Sequence, residues 1–206
     1  MRAIRCFALL AILAFASTQP VHAHSDMGLL EDPIALSDIA LRLHDGTETT
    51  LHRLTAGKVT ALQLIFTECT TVCPIQGATF GFLAEDLADG DLPFQLFSLS
   101  IDANYDTPSD LADWRARHYD GPGWILGVTD FFSTHAFVEE IMASKFGGLI
   151  DENPAPSVEG ARPSEDNHHG SIVVFIGPGS NVIYRTFNFP EPETLREILN
   201  DLQSDA

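Results

Sequence analysis

The stretch Thr67-Glu68-Cys69-Thr70-Thr71-Val72-Cys73-Pro74 constrains the fold of this chain more than any other. It follows an almost unbroken apolar run from Ala61 to Phe66 and leads into Ile75, Ala78 and Phe82, which recur at helical spacing. A continuous apolar run bounded by turn residues reads as a buried strand, so the segment predicts strand, tight loop and helix, with Pro74 in the helix's first turn. Two thiols then sit where the strand hands over to the helix. The exposed N–H groups and macrodipole of a helix N-terminus favour negative charge, which pushes a cysteine there towards thiolate, the form that attacks disulfides and binds metals. By position, Cys73 is expected to be the better placed of the pair.

The rest of the chain supplies the frame. Residues 24 to 37 carry Gly28, Pro33 and several acids without periodicity and read as a lead-in arm. Ile39, Leu41 and Leu43 alternate with polar residues up to Asp45-Gly46, and Thr49 and Leu51 resume the alternation, which is a hairpin signal. The helix after the thiol loop is expected to run to about Asp89, with Gly90 and Pro93 stopping it. Phe94 to Ile101 reads as the next strand and delivers Asp102-Ala103-Asn104-Tyr105-Asp106 at its end. In Thr107-Pro108-Ser109-Asp110 an acid follows a capping threonine at capping-box spacing. A helix therefore opens there, with Leu111, Trp114 and His118 on its inner face.

Trp124 to Val128 is a short strand, and Asp130 caps a helix whose face is read as Phe131, His135, Val138, Met142 and Lys145, ending at Gly147-Gly148. Pro, Glu, Ser and Gly dominate from Asp151 to Asn167, the composition of a long loop of the functional or disordered kind. His168-His169 closes that loop. Ile172 to Ile176, a turn over Gly177 to Asn181 and Val182 to Phe187 form a second hairpin, and Leu195, Ile198, Leu199 and Leu202 mark a final helix. The order predicts an α/β domain over residues 38–206. Its mixed sheet is flanked by helices in the thioredoxin-like manner, with an N-terminal β-hairpin extension. In open sheets of this kind, sites lie beyond the C-terminal ends of the parallel strands, where the thiol loop falls.

The first 23 residues read as a cleaved secretory signal. Arg2 and Arg5 precede an apolar run from Cys6 to Ala16, and Val21-His22-Ala23 offers a small-residue cleavage site. The apolar run is too short to span a bilayer, so no stable membrane span is expected after processing; an uncleaved anchor is the alternative. Cleavage would remove Arg2, Arg5 and Cys6, making a formal charge of −18 still more negative and leaving two cysteines in an oxidising compartment. Such an acidic surface argues against nucleic acid and against anionic lipid as partners.

Two cysteines four apart, the second starting a helix, can bring their sulfurs close enough to join or to hold one ion. The loop is one residue longer than CxxC, which favours chelation over fast dithiol exchange. Copper(I) is soft and prefers thiolate sulfur, and an imidazole would complete a site of two cysteines and one histidine. His169, at the mouth of a strand beside the long loop, is the histidine chosen, against the competing reading of a surface or hinge residue. Zinc completed by water is a further option. So is a thiol-disulfide oxidoreductase, which needs the thiols but no histidine. A thiol peroxidase fits the TxxC of Thr70 to Cys73 but not Phe66, which stands where its proline would be. A disulfide kept for stability alone is not expected from so small a loop. Asp102 and Asp106 are candidates to orient the site or to form a docking face; the competing reading is a turn aspartate and a charge ahead of a helix cap.

Phe66 to Pro74 resembles the FTxCxxxCP signature of the Sco/SenC family, proteins for synthesis of cytochrome c oxidase. Ser100-Ile101-Asp102 with Asp106-Thr107-Pro108 is similar to that family's second motif, an SxD followed by DTP, and His169 falls where the family keeps its histidine. The resemblance spans roughly residues 35 to 203. It implies a thioredoxin-like fold, copper as Cu(I) or Cu(II) held by Cys69, Cys73 and His169, and a redox disulfide between the two cysteines. It also implies delivery of copper to the dinuclear copper centre of cytochrome c oxidase, with the receiving subunit and a thiol-disulfide reductant as partners. The family usually has Asp-His followed by Ser or Thr at the third motif. This chain has His168, His169 and Gly170, so His168 is a rival ligand. Most members of the family keep a membrane anchor, whereas the cleaved signal implies a periplasmic protein here, with a related copper enzyme as an alternative recipient.

Overall fold

The computed structural model describes residues 28–88, 94–143, 172–186 and 189–204. The chain opens with strands β1 (Gly28–Ala35), β2 (Ala40–Leu43) and β3 (Glu48–Thr50), then helix α1 (Leu51–Thr55) and strand β4 (Val59–Ile65). Helix α2 (Cys73–Leu87), β5 (Phe94–Ser100), α3 (Pro108–Ala116), β6 (Trp124–Val128) and α4 (Phe131–Ala143) follow. The hairpin β7 (Val173–Ile176) and β8 (Asn181–Arg185) and helix α5 (Pro192–Ser204) complete the order. All strands join one mixed sheet in the order β1-β8-β7-β4-β5-β6-β2-β3. β4, β5 and β6 run parallel at its centre, and the hairpins add antiparallel on both sides.

Every residue of β4 and β5 is buried, because both faces of the centre are covered. Side chains alternate across the sheet. Val59, Ala61 and Ile65 therefore enter a core with Phe80, Leu83, Leu111, Trp114, Trp124 and Leu199, while Leu62 and Leu64 enter another with Leu41, Leu51, Phe97, Phe137 and Ile141. Both cysteines belong to the first core. This is the thioredoxin-like α/β arrangement expected, and β2–β3 is the expected N-terminal hairpin, docked on the free side of β6.

Several local expectations are corrected. The lead-in arm contains a strand: β1 pairs antiparallel with β8, Gly28 opposite Arg185 and Ala35 opposite Asn181, with a register shift between Leu29 and Ile34. An edge strand exposed on most of its length needs no hydrophobic alternation, so the pattern was silent there. Leu51 starts α1 instead of prolonging the hairpin, since the Thr50 side chain accepts a hydrogen bond from the Arg53 N–H.

The inner face of α2 is rotated from the one expected. Ile75 is 65% and Phe82 50% exposed, and Ala78 is also exposed, whereas Phe80, Leu83, Ala84 and Leu87 are buried. Both stripes have helical spacing, so periodicity alone could not choose between them. Among the described side chains of α4 the buried ones are Thr134, Phe137 and Ile141, and Val138 packs partly buried against the core as expected, while Phe131 and His135 face outward. The capping predictions hold in detail. Thr107 and Asp110 form a reciprocal capping box at α3, and the Asp130 carboxylate accepts from the Ser133 N–H and hydroxyl at α4. The signal segment 1–23, the stop at Gly90 and Pro93, Lys145, Gly147-Gly148, the 151–167 loop and His168 and His169 lie outside the described residues.

Candidate functional site

β4 ends at Ile65, and the chain passes through Thr67 and Cys69 before α2 begins at Cys73. No side chain of the ordinary capping kind serves α2: Val72 is its N-cap and makes no side-chain cap bond. The Cys69 sulfur takes that place, accepting the Cys73 backbone N–H at 3.4 Å, while the Thr71 hydroxyl lies 3.8 Å away. Cys69 thus occupies the anion position at the helix N-terminus, where the orphan N–H groups point. Pro74 lies in the first turn, as expected, where its missing N–H costs nothing.

This geometry reverses the expected ranking of the two thiols. For Cys69, burial raises the pKa, but hydrogen bonds from the Cys73 thiol and N–H and from Thr71 outweigh it and bring the thiol below its ordinary range. Cys73 is pushed up to about 12, first by burial and then by donating its own hydrogen to Cys69. Cys73 starts the helix, yet its side chain is carried into the core; it is Cys69 that receives the helix's hydrogen bonds. Both cysteines are free thiols. A soft pair of sulfurs in mutual hydrogen-bond contact matches the donor chemistry of a thiophilic ion or of a dithiol-disulfide couple.

The thiol loop is fixed by Asp106. This carboxylate, 4% exposed, accepts hydrogen bonds from the Thr67 N–H at 3.1 Å, the Thr67 hydroxyl at 2.6 Å and the Ser100 hydroxyl at 2.6 Å. It therefore ties the end of β4 to the end of β5 from beneath the loop. Asp102 is buried beside it; its N–H donates to the Ser100 hydroxyl, and its carbonyl accepts from the N–H groups of Tyr105 and Asp106. Sequence reasoning named both aspartates but missed Thr67 and Ser100 as the groups that give Asp106 its purpose. The available signal was a hydroxyl residue at the last position of one parallel strand and another just beyond the end of its neighbour.

The structure brings together Cys69, Cys73, Asp102 and Asp106 at one end of the sheet. His168 and His169 fall outside the described residues. The strand that follows them is located: Val173 lies opposite Gln63 in antiparallel pairing, so β7 begins at the sheet end where β4 delivers the thiol loop. Among the described residues no helix is long and apolar enough to cross a membrane.

Comparison with known proteins agrees with this arrangement. The SCO1 protein homolog of Bacillus subtilis (strain 168) is 22% identical over 182 residues, covering 85% of this chain and 86% of that protein. BsSco, described as a member of the Sco family of cytochrome c oxidase assembly proteins with a disulfide switch, superposes with a TM-score of 0.63 at 22% identity. That match covers 85% of this chain and 96% of the other. Yeast Sco1 solved with copper bound gives a TM-score of 0.61 at 14% identity over 84% of this chain and 95% of its own. At these identities the superpositions establish the fold. The SCO1/SenC family model matches residues 35–204, a span running from the end of β1 to the end of α5 and enclosing the thiol loop and the Asp106 clamp. This chain belongs to the SCO1/SenC family.

Proposed function

We propose that the protein is a periplasmic copper chaperone, with copper as its cargo and Cys69, Cys73 and His169 as the ligands. The observation that carries this reading is the pair of free thiols in contact at the head of α2, with the Cys69 pKa held below the ordinary thiol range by its hydrogen bonds. Thiolate sulfur is the preferred donor for Cu(I). Cys73 must lose its proton for both sulfurs to bind, so loading releases protons and affinity rises with pH. His169 lies just upstream of β7, which starts at the thiol end of the sheet; His168 is its rival. Asp106 is a positioning residue in this reading: it holds Thr67, and through it the loop that carries Cys69. The recipient is the copper-receiving subunit of cytochrome c oxidase, for whose assembly the family is named, or a related copper enzyme.

The unequal thiols favour a second reading, reduction of a partner's disulfide. Cys69 as thiolate would attack one partner sulfur and form a mixed disulfide. Cys73 would then displace it, closing a Cys69–Cys73 disulfide and leaving two thiols on the partner, with two electrons and two protons transferred. An anaerobic Cu(I) titration of the reduced protein against a competing chelator, run beside His169→Ala and Cys69→Ser, separates the readings. The chaperone requires one tightly held ion per chain, weakened by both substitutions. Binding indifferent to His169, together with rapid reduction of a model disulfide by the His169→Ala protein, would establish the reductase instead.

A further inference from the structure

Three connections leave the C-terminal ends of the parallel strands, and each puts large apolar side chains into solvent there. β4 leads to Ile75 in the first turn of α2, β5 to Tyr105 in the turn before α3, and β6 to Phe131 and Phe132 in the first turn of α4. Six large hydrophobic side chains are exposed among the described residues, and these are four of them. Phe132 is 82% exposed, and its ring meets that of Phe131 edge-on with centroids 5.6 Å apart. Single exposed apolar residues are ordinary, but residues far apart in sequence gathered at one end of a sheet mark a contact surface. The helices do not need them for packing. α2 enters its core through Phe80, Leu83, Ala84 and Leu87, and α4 through Phe137 and Ile141, while the α4 cap is made by Asp130 and Ser133.

The four share their end of the sheet with the thiol loop. The ends of β4 and β6 stand two strand spacings apart, about 10 Å. Phe131 lines one cleft with Ala103 and Asn104, and Ala103 packs against the core that holds the cysteines. Asp106, in the same turn as Tyr105, binds Thr67 of the thiol loop. The surface therefore runs from the head of α4 through this turn to Cys69. Cys69 and Cys73 are 8% and 3% exposed, so a partner's own ligands reach the two sulfurs only when that partner sits directly on the loop.

The charges beside the apolar residues select the partner's chemistry. Asp110 lies in the first turn of α3, just beyond Tyr105, and Asp130 immediately precedes Phe131; both are exposed. The hydrogen bonds they accept from Thr107 and Ser133 hold both carboxyls below the ordinary carboxylate range. Glu68 adjoins Cys69. Arg42 and Arg53 lie on the far side of the cleft and are opposed there by Glu48, across the strand pair from Arg42, and by Asp38, whose carboxylate acts on Arg53. The balance is negative, in keeping with a chain of 29 acidic and 11 basic residues. A second copy of this chain would bring the same carboxylates face to face. An apolar rim set with carboxylates suits instead a surface that presents apolar side chains among lysines or arginines.

We propose that this rim seats the protein with which copper is exchanged, through a face of apolar side chains flanked by lysine or arginine. The inference rests on Cys69 and Cys73 as the site of exchange. Ile75, Tyr105, Phe131 and Phe132 supply the contact area, Asp110 and Asp130 fix the orientation and hasten encounter, and the seated partner lies over Cys69.

The test uses the isotope-labelled, copper-free protein and a synthetic peptide of alternating Leu and Lys, which has neither cysteine nor histidine and so takes no part in thiol exchange. Backbone amide NMR is expected to show saturable shifts at Glu68, Ile75, Tyr105 and Phe132, with affinity falling as salt rises. Peptides with Glu for Lys, or with Ser for Leu, should bind about tenfold more weakly. Phe131→Ser with Phe132→Ser should weaken the Leu-Lys peptide about tenfold at an unchanged melting temperature, whereas Phe82→Ser, equally exposed but two turns down α2, should leave its binding intact. Shifts spread over the whole acidic surface, equal binding of the three peptides, or indifference to the double serine variant would each overturn the proposal. Shifts at these amides on concentrating the protein alone would overturn it in favour of self-association, and shifts with phosphatidylcholine vesicles in favour of a membrane. The double serine variant is expected to bind Cu(I) as the unaltered chain does. A failure of the copper reading therefore shows in the Cu(I) titration, and a failure of the rim in the peptide shifts.

Discussion

Cys69 and Cys73 differ because one faces the helix N-terminus and the other the core. The difference predicts an ordering under alkylation. Near neutral pH a reduced sample treated with iodoacetamide should label Cys69 well before Cys73, as read by peptide mass spectrometry. Raising the pH deprotonates Cys69 first, since its pKa is held below the ordinary thiol range, whereas that of Cys73 is pushed up to about 12. Thr71→Val removes one donor to the Cys69 sulfur and should move the Cys69 inflection upward. Equal labelling of the two cysteines would contradict the assigned hydrogen-bond geometry. Asp106 is the other residue on which the site depends. Asp106→Asn keeps the shape but replaces an acceptor oxygen by a donor, facing the Thr67 and Ser100 hydrogens with one acceptor too few. Unfolding in urea should show a loss of about 1–3 kcal/mol, the usual cost of stranding a buried polar group.

At the scale of elements, α2 carries Cys73, offers its first N–H to the Cys69 sulfur, and brings Gly77 against Trp114 and His118 of the α3 region. Gly77 lies one turn into the helix, and a Cβ there would come within 2.7 Å of the His118 ring and of Trp114. The His118 and Trp114 rings pack against each other, tilted by 57° with centroids 4.6 Å apart, so neither can withdraw freely. In an exposed helix, alanine for glycine gains about 1 kcal/mol. Here the overpacking cost, typically about 1–3 kcal/mol, should win, and Gly77→Ala is expected to lower the melting temperature. Adding His118→Ala should restore part of the loss; a double variant no more stable than the single one would place the strain elsewhere. Helix α2 is also held from outside by the ion pair of Asp86 with Arg196 of α5.

Across the whole molecule, the sheet is closed on one side by β1, which contributes hydrogen bonds to β8 but few buried side chains. Its role is to cover an edge that would otherwise present unpaired backbone groups. A chain beginning at Leu36 is therefore expected to fold, because both cores remain, and to self-associate more strongly than the longer form. Analytical ultracentrifugation of the two lengths decides it; an equally monomeric short form would show that β8 needs no cover. At the opposite edge, β3 is the outermost strand among the described residues.

The sequence by itself determined the strand-loop-helix around the thiols, the two hairpins, the capping box of α3 and the cap of α4, and the order that makes a thioredoxin-like sheet. Each of these is local: apolar runs, turn residues and cap spacing act within a few residues of one another. It left three matters to the tertiary structure. The phase of α2 and α4 was ambiguous because each helix bears two apolar stripes, and only contact with the sheet selects one. Strand β1 was invisible because an edge strand is defined by its partner, β8, far along the chain. The inequality of the cysteines and the meaning of Asp106 were decided by proximity. Whether a thiol becomes a thiolate depends on which donors surround its sulfur, and whether an aspartate holds a loop depends on Thr67 and Ser100 arriving from two different strands.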